Sequence, residues 1–339
     1  MTAALAVACG VAAAALTAVV RSYALARGLL DIPNERSSHL APTPNGGGVA
    51  IVLAVSGACT ALWVGGGIDS RLLTALLGGL AVAVVGFIDD RYRLTAASRL
   101  AIHLIAALWA LAWLGGLPAL RVGDAILSFG GASYAIGVLG IVWVLNLFNF
   151  MDGIDGLAAA EGISVTWGAA LVAALSLRSD GVSPAAVMVG AATAGFLLWN
   201  WPPARIFMGD VGSGYLGYVI AVLAVAAARA DPVALYVWFI LGGLFWADAT
   251  VTLLRRLFRG KAVYAAHRTH AYQWLARRWG QHRLVTLTAT GINIGWLLPC
   301  AAFAELHPRW AWVCSVAALI PPLAAVVIAG AGRQEQALR

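Results

Sequence analysis

The chain is a succession of apolar runs, each about as long as a bilayer is thick, and this narrows its fold more than any other feature. A spanning helix needs about 20 predominantly apolar residues. Runs of that kind are expected at 3–20, 47–64, 72–88, 100–114, 134–150, 157–177, 184–200, 212–228, 232–254, 285–304 and 310–330. With 61% hydrophobic and 11% charged residues, the chain cannot supply the charged shell of a soluble domain, which is nearer 25% charged. A β-barrel is excluded as well, because its strands alternate apolar and polar residues and these runs are continuous. The expected fold is all-α: a polytopic helical membrane protein with about 11 transmembrane helices, forming one integral membrane domain over 1–339.

Charge sets the orientation. The connections 21–46, 89–99, 151–156, 201–211, 255–284 and the C-terminal tail hold 17 of the 22 Lys and Arg. The alternate set holds Arg71, Arg121, Arg178, Arg229 and Arg309. The positive-inside bias places the first set in the cytoplasm, the N-terminus outside and the C-terminus inside. The net charge of +7 is then explained by topology and attraction to anionic membrane lipid, and no nucleic acid is needed. Met1–Gly10 carries no Lys or Arg ahead of its apolar run, so the first segment is expected to be a retained helix. The four cysteines, Cys9, Cys59, Cys300 and Cys314, lie inside apolar runs without CxxC spacing and read as packing residues.

The unusual polar residues gather on the same cytoplasmic side: DIPNERSSHLAPTPNGGG from Asp31 to Gly48, Asp89-Asp90-Arg91, NLFNFMDGIDG from Asn146 to Gly156, NWPPARIFMGDVGSG from Asn200 to Gly214, and HRTHAYQ from His267 to Gln273. Asp89 and Asp90 end an apolar helix. Two adjacent acids repel, so a divalent cation or cationic partner would relieve them; a solvated helix end with Arg91 and Arg93 as counter-charges is the plainer reading of the pair by itself. Asn146, Asn149 and Asp152 recur every third residue and share a helix face. Gly153 and Gly156 permit a turn that aims Asp155 back at the same place. Asp210 stands between Gly209 and a VGSG stretch that opens a helix. Free N–H groups there, with the Ser213 hydroxyl, can bind phosphate oxygens. A carboxylate beside a phosphate calls for a hard cation between them, and Mg²⁺ is held in that manner. Glycine packing between helices explains Gly212 and Gly214 in another way. His267 and His270 lie in the most basic loop, where donors from His and Arg suit phosphate; a basic loop that only anchors topology is the plainer reading.

Together these five ordered motifs resemble the polyprenyl-phosphate N-acetylhexosamine-1-phosphate transferase superfamily, glycosyltransferase family 4, which includes the MraY and WecA branches. The resemblance runs from about Asp31 to Gln273. It implies a helical membrane enzyme, its catalytic domain open to the cytoplasmic face of a bacterial inner membrane. Such an enzyme transfers a sugar 1-phosphate from a UDP-N-acetylhexosamine to undecaprenyl phosphate and releases UMP. It further implies that Asp210, with Asp152, holds Mg²⁺, for which Mn²⁺ can substitute. Asp89 and Asp90 stand beside the lipid phosphate, Asn149, Asp152, Asp155, Asn200 and Phe207 on the metal and uridine side, and His267, Arg268 and His270 at the diphosphate and sugar. Asn45 stands where the family often has Arg. HRTH departs from the consecutive histidines of the muramoyl-pentapeptide branch and is more similar to the branch that starts O-antigen-type polysaccharides, whose donors are UDP-GlcNAc or UDP-activated 6-deoxy-N-acetylhexosamines such as FucNAc and QuiNAc. A homodimer is left open. The residues alone leave two other classes open: a secondary transporter, which would carry its acids near the midplane in repeated halves, and an intramembrane aspartyl protease, which would need a partner acid on a facing helix.

Overall fold

A computed structural model describes residues 2–33, 38, 41–176, 181–261 and 267–333. Arg36, Arg178, Arg339 and part of the Asp31–Gly48 motif therefore lie outside the described residues. The helices, in chain order, are α1 (Thr2–Ala26), α2 (Gly48–Val64), α3 (Ser70–Tyr92), α4 (Ala96–Leu114), α5 (Ser133–Met151), α6 (Leu157–Leu175) and α7 (Ser183–Asn200). They continue as α8 (Asp210–Ala230), α9 (Ala234–Leu241), α10 (Gly243–Phe258), α11 (Ala271–Trp279), α12 (His282–Ile292), α13 (Leu298–Leu306) and α14 (Ala311–Ala329). A short π-helical segment, Asn293–Leu297, joins α12 to α13. Among the described residues, strand is confined to two antiparallel pairs, Leu30–Asp31 with Thr43–Pro44 and Leu120–Val122 with Ala125–Leu127.

Each of the eleven apolar runs falls on helix. Among the described residues, eight helices are long and apolar enough to cross a membrane by length and composition, and the pair α9 and α10, bent by 67°, makes a ninth if it is one span. The 17-residue α2 and the more polar-ended α7 fall outside that set. The protein is an all-α, multi-pass membrane protein. Its four cysteines are free, as packing residues should be.

The bundle is organised around α8, which is buried along its whole spanning window. A helix apolar on every side belongs in such a place. Its Tyr218 side chain is satisfied inside the bundle: the hydroxyl lies 2.8 Å from the Ala75 carbonyl and 3.1 Å from the Ala106 carbonyl, tying α8 to α3 and α4. Close approach of α3 to α8 requires a missing side chain at Gly86. A Cβ there would stand 2.5 Å from the Asp210 carbonyl carbon and oxygen. Because Asp89 and Asp90 follow within one turn, this contact delivers both acids to the start of α8.

Candidate active site

Six carboxylates from four separated segments, Asp31, Asp89, Asp90, Asp152, Asp155 and Asp210, line one cleft of about 940 Å³ at one end of the bundle. Among the described residues, Arg93 and Arg99 are the arginines that line it, with His282, Asn45 and Phe207 also on its wall. The acids therefore outnumber the cations around a shared space.

Asp89 is paired. Its Oδ2 lies 2.5 Å from Arg99 Nη1, and its Oδ1 accepts the Leu94 N–H at 2.6 Å. The same Arg99 nitrogen lies 3.2 Å from Asp210 Oδ2, so one guanidinium bridges two acids 121 residues apart in sequence. The sequence offers Arg91 and Arg93 as counter-charges and gives no local sign of Arg99. Arg91 instead sits over the Phe87 ring, 4.4 Å from its centroid.

Asp90 has a different task. Its Oδ1 accepts the Asp210 N–H (3.1 Å) and its Oδ2 the Val211 N–H (3.3 Å), while Asn45 Nδ2 approaches Oδ1 at 3.4 Å. The N–H groups of Gly212 and Ser213 point to the Gly209 carbonyl, each at 3.0 Å. The helix start expected to offer free donors to phosphate is thus already closed by a carboxylate and by its own backbone. Gly209 makes this possible: it has φ +76°, and a Cβ on it would stand 2.6 Å from Asp90 Oδ2.

Asn149 Nδ2 donates to Asp210 Oδ1 at 2.8 Å and lies 3.2 Å from Ser213 Oγ. Ser213 is fully buried and donates to the Gly209 carbonyl at 3.2 Å; it braces the helix start and does not face the cleft. Asn146 is not brought to the cleft either, since its amide bonds the Val142 carbonyl of its own helix at 2.7 Å. Asn200 reaches the cleft wall, but its amide holds two loops together: Oδ1 accepts the Gly156 N–H and Nδ2 donates to the Ile206 carbonyl, both at 2.9 Å.

Asp152 caps the C-terminus of α5 and, among the described residues, no donor reaches its carboxylate. Burial, and then the charges of Asp210, Asp90 and Asp155, push its carboxyl well above the ordinary carboxylate range. Asp155 accepts the Ala204 N–H at 3.0 Å, and its Oδ1 lies 3.3 Å from His282 Nδ1. His282, which reads as a surface residue in sequence, also places Nε2 3.1 Å from the Ser38 carbonyl. The signal that could have marked it is its position as the first residue of a helix on the same face as the acids.

The histidine motif forms a separate layer beside the cleft, and only Gln273 of it lines the wall. His270 is buried, caps α11 and lies 3.2 Å through Nδ1 from Asp248 Oδ1. Asp248, on α10, also accepts the N–H groups of Ala271 (2.8 Å) and Tyr272 (3.0 Å) and the Thr252 hydroxyl (3.0 Å). An acid in mid-span thus closes the N-terminus of α11, and nothing in its apolar neighbourhood announced it. His267 stacks on His270 with ring centroids 5.0 Å apart. Burial first, then His270 and Arg256, push its imidazole down to about 3, so it is neutral at physiological pH and offers hydrogen bonds without charge. Arg268 accepts a bond from Arg277 through its backbone carbonyl, at 3.1 Å. The Tyr272 hydroxyl donates to the Phe150 carbonyl at 3.0 Å, docking the motif against the segment that carries Asp152.

Acids in excess of cations thus share one space with buried amides at the ends of several membrane-spanning helices. The sequence model of Glycosyl transferase family 4 matches residues 72–228, the stretch that contains five of the six cleft acids, all but Asp31. A probable undecaprenyl-phosphate N-acetylglucosaminyl 1-phosphate transferase of Bacillus subtilis is 31% identical, over 80% of this chain and 76% of its own. A decaprenyl-phosphate N-acetylglucosaminephosphotransferase of Mycobacterium tuberculosis is 30% identical over 80% and 74%. A phospho-N-acetylmuramoyl-pentapeptide-transferase of Deinococcus radiodurans is 37% identical, but over 54% and 62%. The chain belongs to the polyprenyl-phosphate N-acetylhexosamine-1-phosphate transferase superfamily, and it is a phosphotransferase.

Proposed function

We propose that this enzyme transfers N-acetylhexosamine 1-phosphate from a UDP-sugar to undecaprenyl phosphate, giving undecaprenyl-diphospho-sugar and UMP and initiating a cell-surface polysaccharide such as O-antigen. The donor is UDP-GlcNAc or a UDP-6-deoxy-N-acetylhexosamine, and the cleft faces the cytoplasm from a bacterial inner membrane. The observation that carries the reading is the cleft itself: six carboxylates, one bridging arginine and, among the described residues, an Asp152 without a donor, all in a single space. The two relatives matched over 80% of this chain are named for N-acetylglucosamine phosphate transfer to a polyprenyl phosphate. The muramoyl-pentapeptide transferase match is shorter, and HRTH lacks that branch's consecutive histidines.

Among the described residues no three His, Cys, Asp or Glu side chains form a ready metal cage. Mg²⁺ does not ask for one, because it keeps several waters and is held by one or two carboxylates plus substrate phosphates. Asp152, which has no donor among the described residues, and Asp210 fit that demand. Bound there, Mg²⁺ would neutralise the diphosphate and stabilise the departing UMP.

The acceptor is a phosphate monoester with a second pKa of about 6, so much of it is already a dianion at neutral pH. Its oxygen attacks the sugar-linked phosphorus directly. A new P–O bond forms, the bond to the UMP phosphate breaks, and UMP leaves with the electron pair. Arg99 is placed to receive the acceptor phosphate by exchanging a carboxylate for it, and Asp89, released from that pair, orients the acceptor or takes the proton of its monoanion. Asp155 and Gln273 border the donor side. Purified enzyme, undecaprenyl phosphate and a panel of UDP-sugars, with and without Mg²⁺, test the reading through UMP release. Turnover unaffected by metal removal, or none with any UDP-sugar, overturns it.

A further inference from the structure

A second recess, of about 880 Å³, lies between α1 and α7 and shares no lining residue with the acidic cleft. The two helices touch where Gly195 meets Gly10; a Cβ on Gly195 would collide with the Gly10 carbonyl oxygen. Beside that contact, alanines on both helices leave a groove open to the bilayer. It runs along α1 from Ala6 to Ala18, about 18 Å at 1.5 Å per residue. One leaflet of the roughly 30 Å hydrocarbon core is about 15 Å deep, so the groove has the length of a single acyl chain.

Its end nearest the acidic cleft is not apolar. Trp199 bonds the Ala14 carbonyl through Nε1 at 3.0 Å, and the guanidinium carbons of Arg21 and Arg205 each lie 5.9 Å from the Trp199 ring centroid. Arg21 Nε donates to the Arg205 carbonyl at 3.2 Å. Neither guanidinium has a carboxylate partner among the described residues. Two like charges held on one indole call for an anion, and a guanidinium matches a phosphate in shape and charge.

We propose that the groove holds an acyl chain of an anionic phospholipid from the surrounding bilayer, with its phosphate between Arg21 and Arg205. A zwitterionic lipid brings its own cation to the same place and gains less. The polyprenyl acceptor is a poorer occupant, because its phosphate must reach acids that the groove does not touch. The site also bears on the cleft. Arg205 follows Ala204, whose N–H holds Asp155 Oδ2 at 3.0 Å, so the bound headgroup steadies the loop that orients a cleft acid.

The test uses lipid-depleted full-length protein and native mass spectrometry with phosphatidylglycerol and phosphatidylcholine of identical chains. Wild type should retain phosphatidylglycerol roughly thirtyfold better, the ratio that two cations beside an anionic headgroup supply. The double variant Arg21→Gln/Arg205→Gln should lose that preference. Should the double variant fail to fold, Ala15→Phe fills the groove from an exposed position and leaves both arginines; it should lose the bound lipid. Equal retention of the two lipids by wild type, phosphatidylglycerol kept by the filled groove, displacement of phosphatidylglycerol by equimolar undecaprenyl phosphate, or a lipid-free dimer that Ala15→Phe dissociates would each overturn the proposal. None of these readouts depends on turnover.

Discussion

Asp90 closes the helix that Asp210 opens: its two carboxylate oxygens lie 3.1 Å and 3.3 Å from the backbone nitrogens of Asp210 and Val211. One member of the acid pair is thereby a remote N-cap, and substitutions should separate the cap from any chemistry. Asp90→Ala should lower stability by about 1–2 kcal/mol, the usual cost of a lost cap. Asp90→Asn keeps one acceptor and should lose about half as much. Thermal unfolding in detergent measures both, and an unchanged midpoint for Asp90→Ala would show that the cap carries no stability.

Arg99 should matter for turnover and little for stability. Its side chain is 32% exposed, and ion pairs of that exposure contribute at most about 1 kcal/mol. Arg99 spans Asp89 and Asp210, where the proposed reaction would receive phosphate charge, and removal of such a group costs about a hundredfold or more in rate. Arg99→Ala should therefore lose turnover by that factor with a midpoint within a few degrees of wild type. Near-normal UMP release would remove Arg99 from the reaction.

Gly86 sets the distance between α3 and α8. An alanine there places a methyl group 2.5 Å from the Asp210 carbonyl, against backbone that cannot rotate away. Overpacking of this kind costs about 1–3 kcal/mol. It should also draw Asp89 and Asp90 from Asp210, so Gly86→Ala should lose activity in excess of its loss of stability. Full activity in a folded Gly86→Ala protein would show that this contact does not set the acids' position.

The sequence told much about helices and less about side-chain partners. Apolar length alone placed every run on helix, because nothing but closed backbone bonding is tolerated in lipid. The acids and glycines of the cleft were legible because they recur in short ordered motifs. What stayed hidden was who satisfies whom. Arg99 lies 10 residues from Asp89 and 111 from Asp210, and Asp248 lies 22 from His270; no local period links them. The same distance hid the closure of the α8 terminus by Asp90, and hence the fact that Ser213 and Asn200 serve the scaffold. Asn146 misled because a three-residue repeat on one face does not say how far that face turns from the cleft.

Asp248 should be the most sensitive acid outside the cleft. It is 2% exposed and accepts four hydrogen bonds. Asp248→Ala leaves the N–H groups of Ala271 and Tyr272 buried and unpaired, at a cost of about 1–3 kcal/mol for each group so stranded. Hydrogen exchange at those two amides should accelerate and the thermal midpoint should fall. Unaltered protection at Ala271 and Tyr272 would mean that α11 is held by other contacts.

His267 predicts a pH dependence of stability whose sign is fixed. Its imidazole is pushed down to about 3 from an ordinary value of 6.5, chiefly by burial, so the unfolded chain binds the proton more readily than the folded one. Stability therefore rises with pH across that interval: the contribution is complete above pH 6.5 and is lost progressively as pH falls toward about 3. His267→Gln has no proton to gain and should flatten that part of the acid limb. Midpoints recorded every half unit from neutral pH down to about 4 should converge or cross for the two proteins in acid. Parallel curves would show that the buried imidazole takes up its proton without cost.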